Sequence, residues 1–257
     1  MGLNKAVYLN TLRWFSASPA RLVAGLLFMA LAYTVLGGGS QILVNGMDAA
    51  AFLSPGTLAS WGDRVLWLLA WILGVGLVRR EVQSGSLALL LTRPLTRLSY
   101  LLSKWAALAT LLLVFVIFCH GTLLARGRVT FATPGESGLL LAQTVQVLAL
   151  AALLVCFSSL PLALGEWGSL LALVVALIVL GYYGGTHGWT ALTDIKGFSF
   201  RVLFPKVADP GTPGVFLPGA SGVNVAGSIG FNLGIVAGAL GLSWLALERR
   251  EFGYAQS

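Results

Sequence analysis

The chain has 257 residues, of which 57% are hydrophobic and only 10% charged, against ~25% charged in an average soluble domain. Together with a mean hydropathy of +0.88, these values exclude an ordinary soluble enzyme, a disordered tail and a coiled coil, and make lipid the solvent for most of the chain. The net charge of +7 is read as basic residues flanking membrane helices on the cytoplasmic side, and no nucleic-acid partner is expected.

Residues 1–20 come first, with Lys5 and Arg13 set among Val7, Leu12, Trp14 and Phe15. This mixture predicts a helix over 3–17 lying in the inner membrane interface. Six apolar runs follow, at 22–36, 58–78, 105–124, 139–160, 168–183 and 225–247. Runs so poor in charge predict six membrane helices, because backbone polar groups in lipid must be satisfied within the segment. The first run has the length of a signal-peptide core, but the long aromatic leader before it favours an uncleaved span. Of the 16 Lys and Arg residues, Arg64, Arg126, Arg128, Lys196, Arg201 and Lys206 fall in outer segments and the rest in inner ones if both termini face the cytoplasm. That bias sets the expected orientation.

The connection over 79–104 is the most informative segment. Ser84-Gly85-Ser86 interrupts the chain leaving the membrane, since glycine permits strained backbone and serine caps helices. Leu87 to Thr92 form an apolar stub too short to span. Pro94 ends it, and Thr96 caps the helix that returns to the membrane. The stub, flanked by Arg93 and Arg97, predicts a short helix across the inner face, built to be buried against a protein partner. Residues 184–224 form a long outer loop with Pro205, Pro210, Pro213 and Pro218 and several aromatics, a length usually tied to function.

Single polar features carry less. Gln143 and Gln146 inside the fourth span read as helix glue, with a substrate path as the alternative. Gly227, Gly230, Gly234, Gly238 and Gly241 share one face of the sixth helix. They read as close packing within the chain, or as a moving or dimer-facing surface. Asn224 and Asn232 flank that face. Asp63 and Arg64 read as interfacial anchors. Cys119 and Cys156 lie in apolar runs, which argues against a structural disulfide. His120 and His187 form no ligand cluster, so no metal is expected. No catalytic constellation is evident.

Glu81, Gly85-Ser86, Leu89-Leu90-Leu91, Pro94, Arg97, Tyr100 and Lys104 together resemble the connection between the second and third helices of ABC-2-type transporter permeases. The tail Glu248-Arg249-Arg250-Glu251-Phe252 fits as well. The resemblance is closest to the branch linked to multi-copper enzyme maturation, gliding and similar envelope functions. It implies a non-catalytic permease subunit in a prokaryotic cytoplasmic membrane, an all-α fold and a coupling helix bearing Glu81, Gly85, Leu87, Leu90, Leu91, Arg93, Pro94 and Arg97. A second inner contact would involve Pro161 and Glu166. The implied partners are two copies of a cytoplasmic ABC ATPase, which would bind ATP and Mg, and a second permease chain, identical or not. The chain lacks a GxxxxGK[ST] phosphate loop, in keeping with an ATPase on a separate subunit. Glu81 is expected either in a surface salt bridge with a neighbouring arginine or in a fixed contact that positions the coupling helix. The alternative function is a membrane anchor that passes ATP-driven motion to an envelope partner through 184–224.

Overall fold

The computed structural model describes residues 3–37, 55–87, 96–125, 134–160, 165–205 and 225–249. Among them are nine helices and no strand: α1 (Lys5–Ala17), α2 (Pro19–Gly37), α3 (Pro55–Gly74), α4 (Arg79–Gln83), α5 (Arg97–Ala125), α6 (Pro134–Ser159), α7 (Gly165–Thr186), α8 (Thr190–Leu203) and α9 (Val225–Glu248). Among the described residues, four stretches are long and apolar enough to cross a membrane: Arg97–Thr122, Leu140–Ser159, Gly168–Thr186 and Ala226–Glu248. Pro19–Ala30 is a shorter apolar helix.

Helix α6 is the centre. Its alanines 142, 149, 151 and 152 are fully buried with Val147 and Val155, and such small side chains let neighbouring helices approach closely. Helix α9 lies along it, burying Ser228, Asn232, Ile235, Ala239, Ser243 and Leu247 at helical spacing. Helix α5 packs beside α6, and Trp105 Nε1 donates to Leu148 O at 3.0 Å. Helix α3 meets both at Gly74, where a Cβ would lie 2.8 Å from Leu154 Cδ1 and 3.2 Å from Leu108 Cδ2. Helix α1 rests on α5 through Val7, Thr11 and Phe15, four residues apart on one face. Asn4 caps α1 by accepting from Val7 N, while its own N–H donates to Ser103 Oγ.

Several boundaries differ from the sequence reading. The second apolar run breaks at Gly74, and 75–78 form a turn before α4. Gly76 at φ +77° makes that turn, a backbone conformation glycine adopts without strain. Helix α5 starts at Arg97 instead of 105, with Thr96 Oγ1 accepting from Ser99 N at 3.2 Å as the expected cap. The long 184–224 connection contains helix α8, whose charged and apolar residues alternate around an amphipathic surface.

Substituting Gly74 by valine is expected to destabilise the chain by about 1–3 kcal/mol, the usual cost of overpacking. Gly230→Ala, whose Cβ meets nothing within the described chain, is expected not to lower the melting temperature of the monomeric chain, since alanine is the better helix former. Thermal unfolding followed by intrinsic tryptophan fluorescence in detergent checks both.

Candidate functional site

Five side chains, Arg21, Glu81, Arg97, Ser158 and Glu166, gather helix ends at one end of the bundle, here termed the turn end. The 75–78 turn is its centre. A turn inside a packed helical bundle leaves backbone groups without helical partners, and each is costly if unpaired. Side chains from three helices satisfy them. Arg21 Nη2 of α2 donates to Val75 O at 3.2 Å. Glu166 Oε2 of α7 accepts from Gly76 N at 2.7 Å. Ser158 Oγ of α6 accepts from Val78 N at 2.8 Å and Arg79 N at 3.1 Å. Ser158 thus acts as an N-cap supplied from another helix, since Val78 has no capping side chain of its own.

Helix α4 carries Glu81, whose carboxylate grips α5. Its Oε1 lies 2.5 Å from Lys104 Nζ, and its Oε2 accepts from Tyr100 Oη at 2.5 Å. The Lys104 side chain is only 4% exposed and that of Glu81 22%. The partner is therefore Lys104, and this contact is partly buried, unlike a wet surface pair with a neighbouring arginine. Both contacts tie the two sides of the 79–104 connection together. Burial weakens competition from water, so charge-assisted bonds here are stronger than on the surface.

The other site residues of the sequence reading are placed as follows. Ser84 stops α4, and Gly85 follows at φ +70°. Leu87 is fully buried in the main core. Leu90, Leu91, Arg93, Pro94 and Pro161 lie outside the described residues. Arg97 Nη1 donates to Leu247 O at 3.0 Å and Glu248 O at 2.9 Å, so a cation caps the C-terminal carbonyls of α9. Glu166 is buried and turned toward Gly76. On the glycine face of α9, a Cβ at Gly230, Gly234, Gly238 or Gly241 would meet nothing within 4 Å among the described residues. Gly227 is exposed. Gln146 Nε2 donates to Pro205 O at 2.8 Å, in keeping with a helix-bridging role. His120 Nδ1 lies 3.0 Å from Val116 O on its own helix. No group of three potential metal ligands occurs among the described residues.

Sequence reasoning did not single out Arg21, Gly76 or Ser158. Their signal was present in part. Gly74 and Gly76 two apart in an apolar run mark a backbone break, and Ser158-Ser159 at the end of an apolar run offers capping hydroxyls.

The chain matches the family model described as ABC-2 family transporter protein over residues 19–184. A search of curated proteins finds no match. The family match spans well over half of the chain, from α2 to α7, and the chain belongs to the ABC-2 transporter family. With its apolar helices, it is a multi-pass membrane protein, a permease component of an ABC transporter.

The asymmetric burial of the Glu81–Lys104 pair predicts an order of effects. Glu81→Gln strands the more deeply buried ammonium and is expected to destabilise by about 3 kcal/mol, within the range for breaking a buried pair. Lys104→Met costs less, because Tyr100 still serves Glu81. Adding Lys104→Met to Glu81→Gln is expected to recover part of the loss, read from melting temperatures in a double-mutant cycle.

Proposed function

We propose that this ABC-2 family chain couples ATP hydrolysis by a separate cytoplasmic ATPase subunit to export or extraction of a substrate. The observation that carries this reading is the anchoring of the 75–87 segment. Its turn is held by α2, α6 and α7 and its short helix by α5. A force applied to the 79–104 connection therefore reaches four helices at once, as a rigid-body switch requires.

In this reading the turn end faces the cytoplasm. It gathers Arg21, Arg79, Arg80, Arg97 and Lys104, in keeping with the inward bias of basic residues. Helices α2, α3, α5, α6, α7 and α9 are the six spans, with both chain termini inside and α1 at the inner interface. The coupling contact lies in the apolar 87–92 stub at Leu90 and Leu91, in a groove of the ATPase that binds ATP and Mg, whereas Leu87, expected among the contact residues, is instead taken up by the chain's own core; Pro161 to Glu166 provide the second inner turn. Two permease chains and two ATPase subunits make the assembly in a prokaryotic cytoplasmic membrane. The open glycine face of α9 suits close approach of the second chain. The anchor reading, with an envelope partner at 184–224, gains no support from α8, which folds back onto α7.

The test is co-purification with the ABC ATPase encoded beside this chain. A stable complex is expected with the wild-type chain. Leu90→Asp is expected to weaken it at least about tenfold, the loss typical of a buried anchor residue. Absence of a complex with the wild-type chain would overturn the reading.

A further inference from the structure

The corner where α1 meets α2 gathers cations without acids. Residues 1–37 hold Lys5, Arg13 and Arg21 and no Asp or Glu. Helix α1 ends at Ala17, Ser18 is extended at φ −92° and ψ 106°, and α2 starts at Pro19. This one-residue corner brings Arg21 back over α1, where its Cζ lies 3.6 Å from the centroid of the Trp14 ring. Arg80 of α4 approaches the same ring, with its Cζ 5.8 Å from the centroid. Two guanidiniums thus share one indole. Each is attracted to the ring, but the like charges repel, and the repulsion costs most where water is scarce.

No carboxylate among the described residues pairs with either arginine. Glu81 is engaged by Lys104 and Tyr100, and Glu166 accepts from Gly76 N. Arg21 directs one N–H to Val75 O, of the five that a guanidinium offers. Arg80 is exposed, and its Nε crosses the turn 3.2 Å from where a Cβ on Gly76 would lie. The corner therefore holds two forked cations with donors to spare.

Lipid-facing surface begins in the same turn of helix. Leu22 and Val23, which follow Arg21, are about half exposed, and Leu26 and Leu27 are 65% and 63% exposed. Gly25, one turn beyond Arg21, adds no side chain, and a Cβ there would meet nothing within 4 Å. It leaves a shallow notch beside Leu22 and Leu26. On α1, Lys5, Leu9 and Arg13 are exposed and four residues apart, so a second set of basic residues shares a face with an apolar one. Arg21 stands where polar surface gives way to apolar surface, which is the depth of the phosphate groups of a bilayer.

We propose that this corner seats the phosphate of an anionic phospholipid between Arg21 and Arg80, beside Trp14, with an acyl chain along Leu22, Gly25 and Leu26. The planar guanidinium fork matches phosphate oxygens two at a time. The preference is for a lipid of net negative charge, because the ammonium of phosphatidylcholine cancels the charge of its phosphate and would itself face two cations. Binding relieves the repulsion across the Trp14 ring. It also steadies Arg21 on Val75 O, so an occupied seat stiffens the 75–78 turn. The lipid belongs to the inner leaflet in the orientation proposed above; the seat itself needs neither that orientation nor an ATPase.

The test titrates dioctanoylphosphatidylglycerol into the full chain in a nonionic detergent and follows the unfolding temperature, which rises when a ligand binds the folded state. A saturable rise is expected with this lipid, and none with dioctanoylphosphatidylcholine or with inorganic phosphate. Arg80→Gln is expected to raise the half-saturating concentration at least about tenfold, the loss of charge-assisted bonds to phosphate. Arg249→Gln, which removes an exposed cation beyond the end of α9, is expected to leave it unchanged. If Arg80→Gln lowers the unfolding temperature without lipid, Arg80→Lys carries the test instead, with a loss of a few-fold from the missing fork. Four outcomes overturn the seat: no rise with phosphatidylglycerol, an equal rise with phosphatidylcholine, a titration that the Arg80 variant leaves unchanged, or an equal loss with Arg249→Gln, which would mean attraction by overall charge. An equal rise with inorganic phosphate would assign the corner to a soluble anion and overturn the lipid. No ATPase enters the measurement, so its failure is distinct from failure of the coupling reading.

Discussion

The structure depends on how one interrupted helix satisfies its backbone. Helix α3 stops at Gly74 within an apolar region, and the chain turns before α4. In a low-dielectric interior that break would be prohibitive if its amides and carbonyls stayed bare. Arg21, Ser158 and Glu166 make it possible, each from a different helix. The turn therefore exists only when α2, α6 and α7 are already beside it. The cost of the break is offset by fixing the start of the 79–104 connection in space.

The same logic recurs at the neighbouring helix ends. Glu81 holds α4 to α5 through Lys104 and Tyr100, and Arg97 covers the last carbonyls of α9. Glu81, Lys104 and Arg97 do more than solvate this end. They complete hydrogen-bond positions that regular helices leave open. Packing elsewhere is mainly apolar and close, with the small side chains of α6 at the centre and single buried polar groups such as Gln146 and Asn232 set among them.

Much of this plan was legible. Apolar runs located the long helices, since hydropathy over ~20 residues is a strong signal. Local chemistry located the Thr96 cap and the interruption at Ser84 to Ser86. Glu81 stood out as the acid beside a glycine break. What was not legible came from pairing across distance. The partners Glu166 and Gly76 are 90 residues apart, and no local pattern marks a buried carboxylate as the acceptor for a remote amide. The break at Gly74 was masked because Leu77 and Val78 continue the apolar run. Helix α8 was read as loop because Thr193, Asp194, Lys196 and Gly197 dilute its hydropathy, although Lys196, Phe200 and Leu203 fall on one helical face toward the bundle.

The Arg97 contact also bears on the order in which the molecule is completed. Its carbonyl partners at Leu247 and Glu248 lie 150 and 151 residues later in the chain. At the usual rate of synthesis, roughly 8–30 s separate the appearance of the arginine from that of its acceptors. Until α9 has been made and inserted, the start of α5 carries a guanidinium with those bonds unmade. Helix α9, made well after α5, thus completes the first turn of α5, and loss of its last turn would leave the Arg97 guanidinium without these two acceptors.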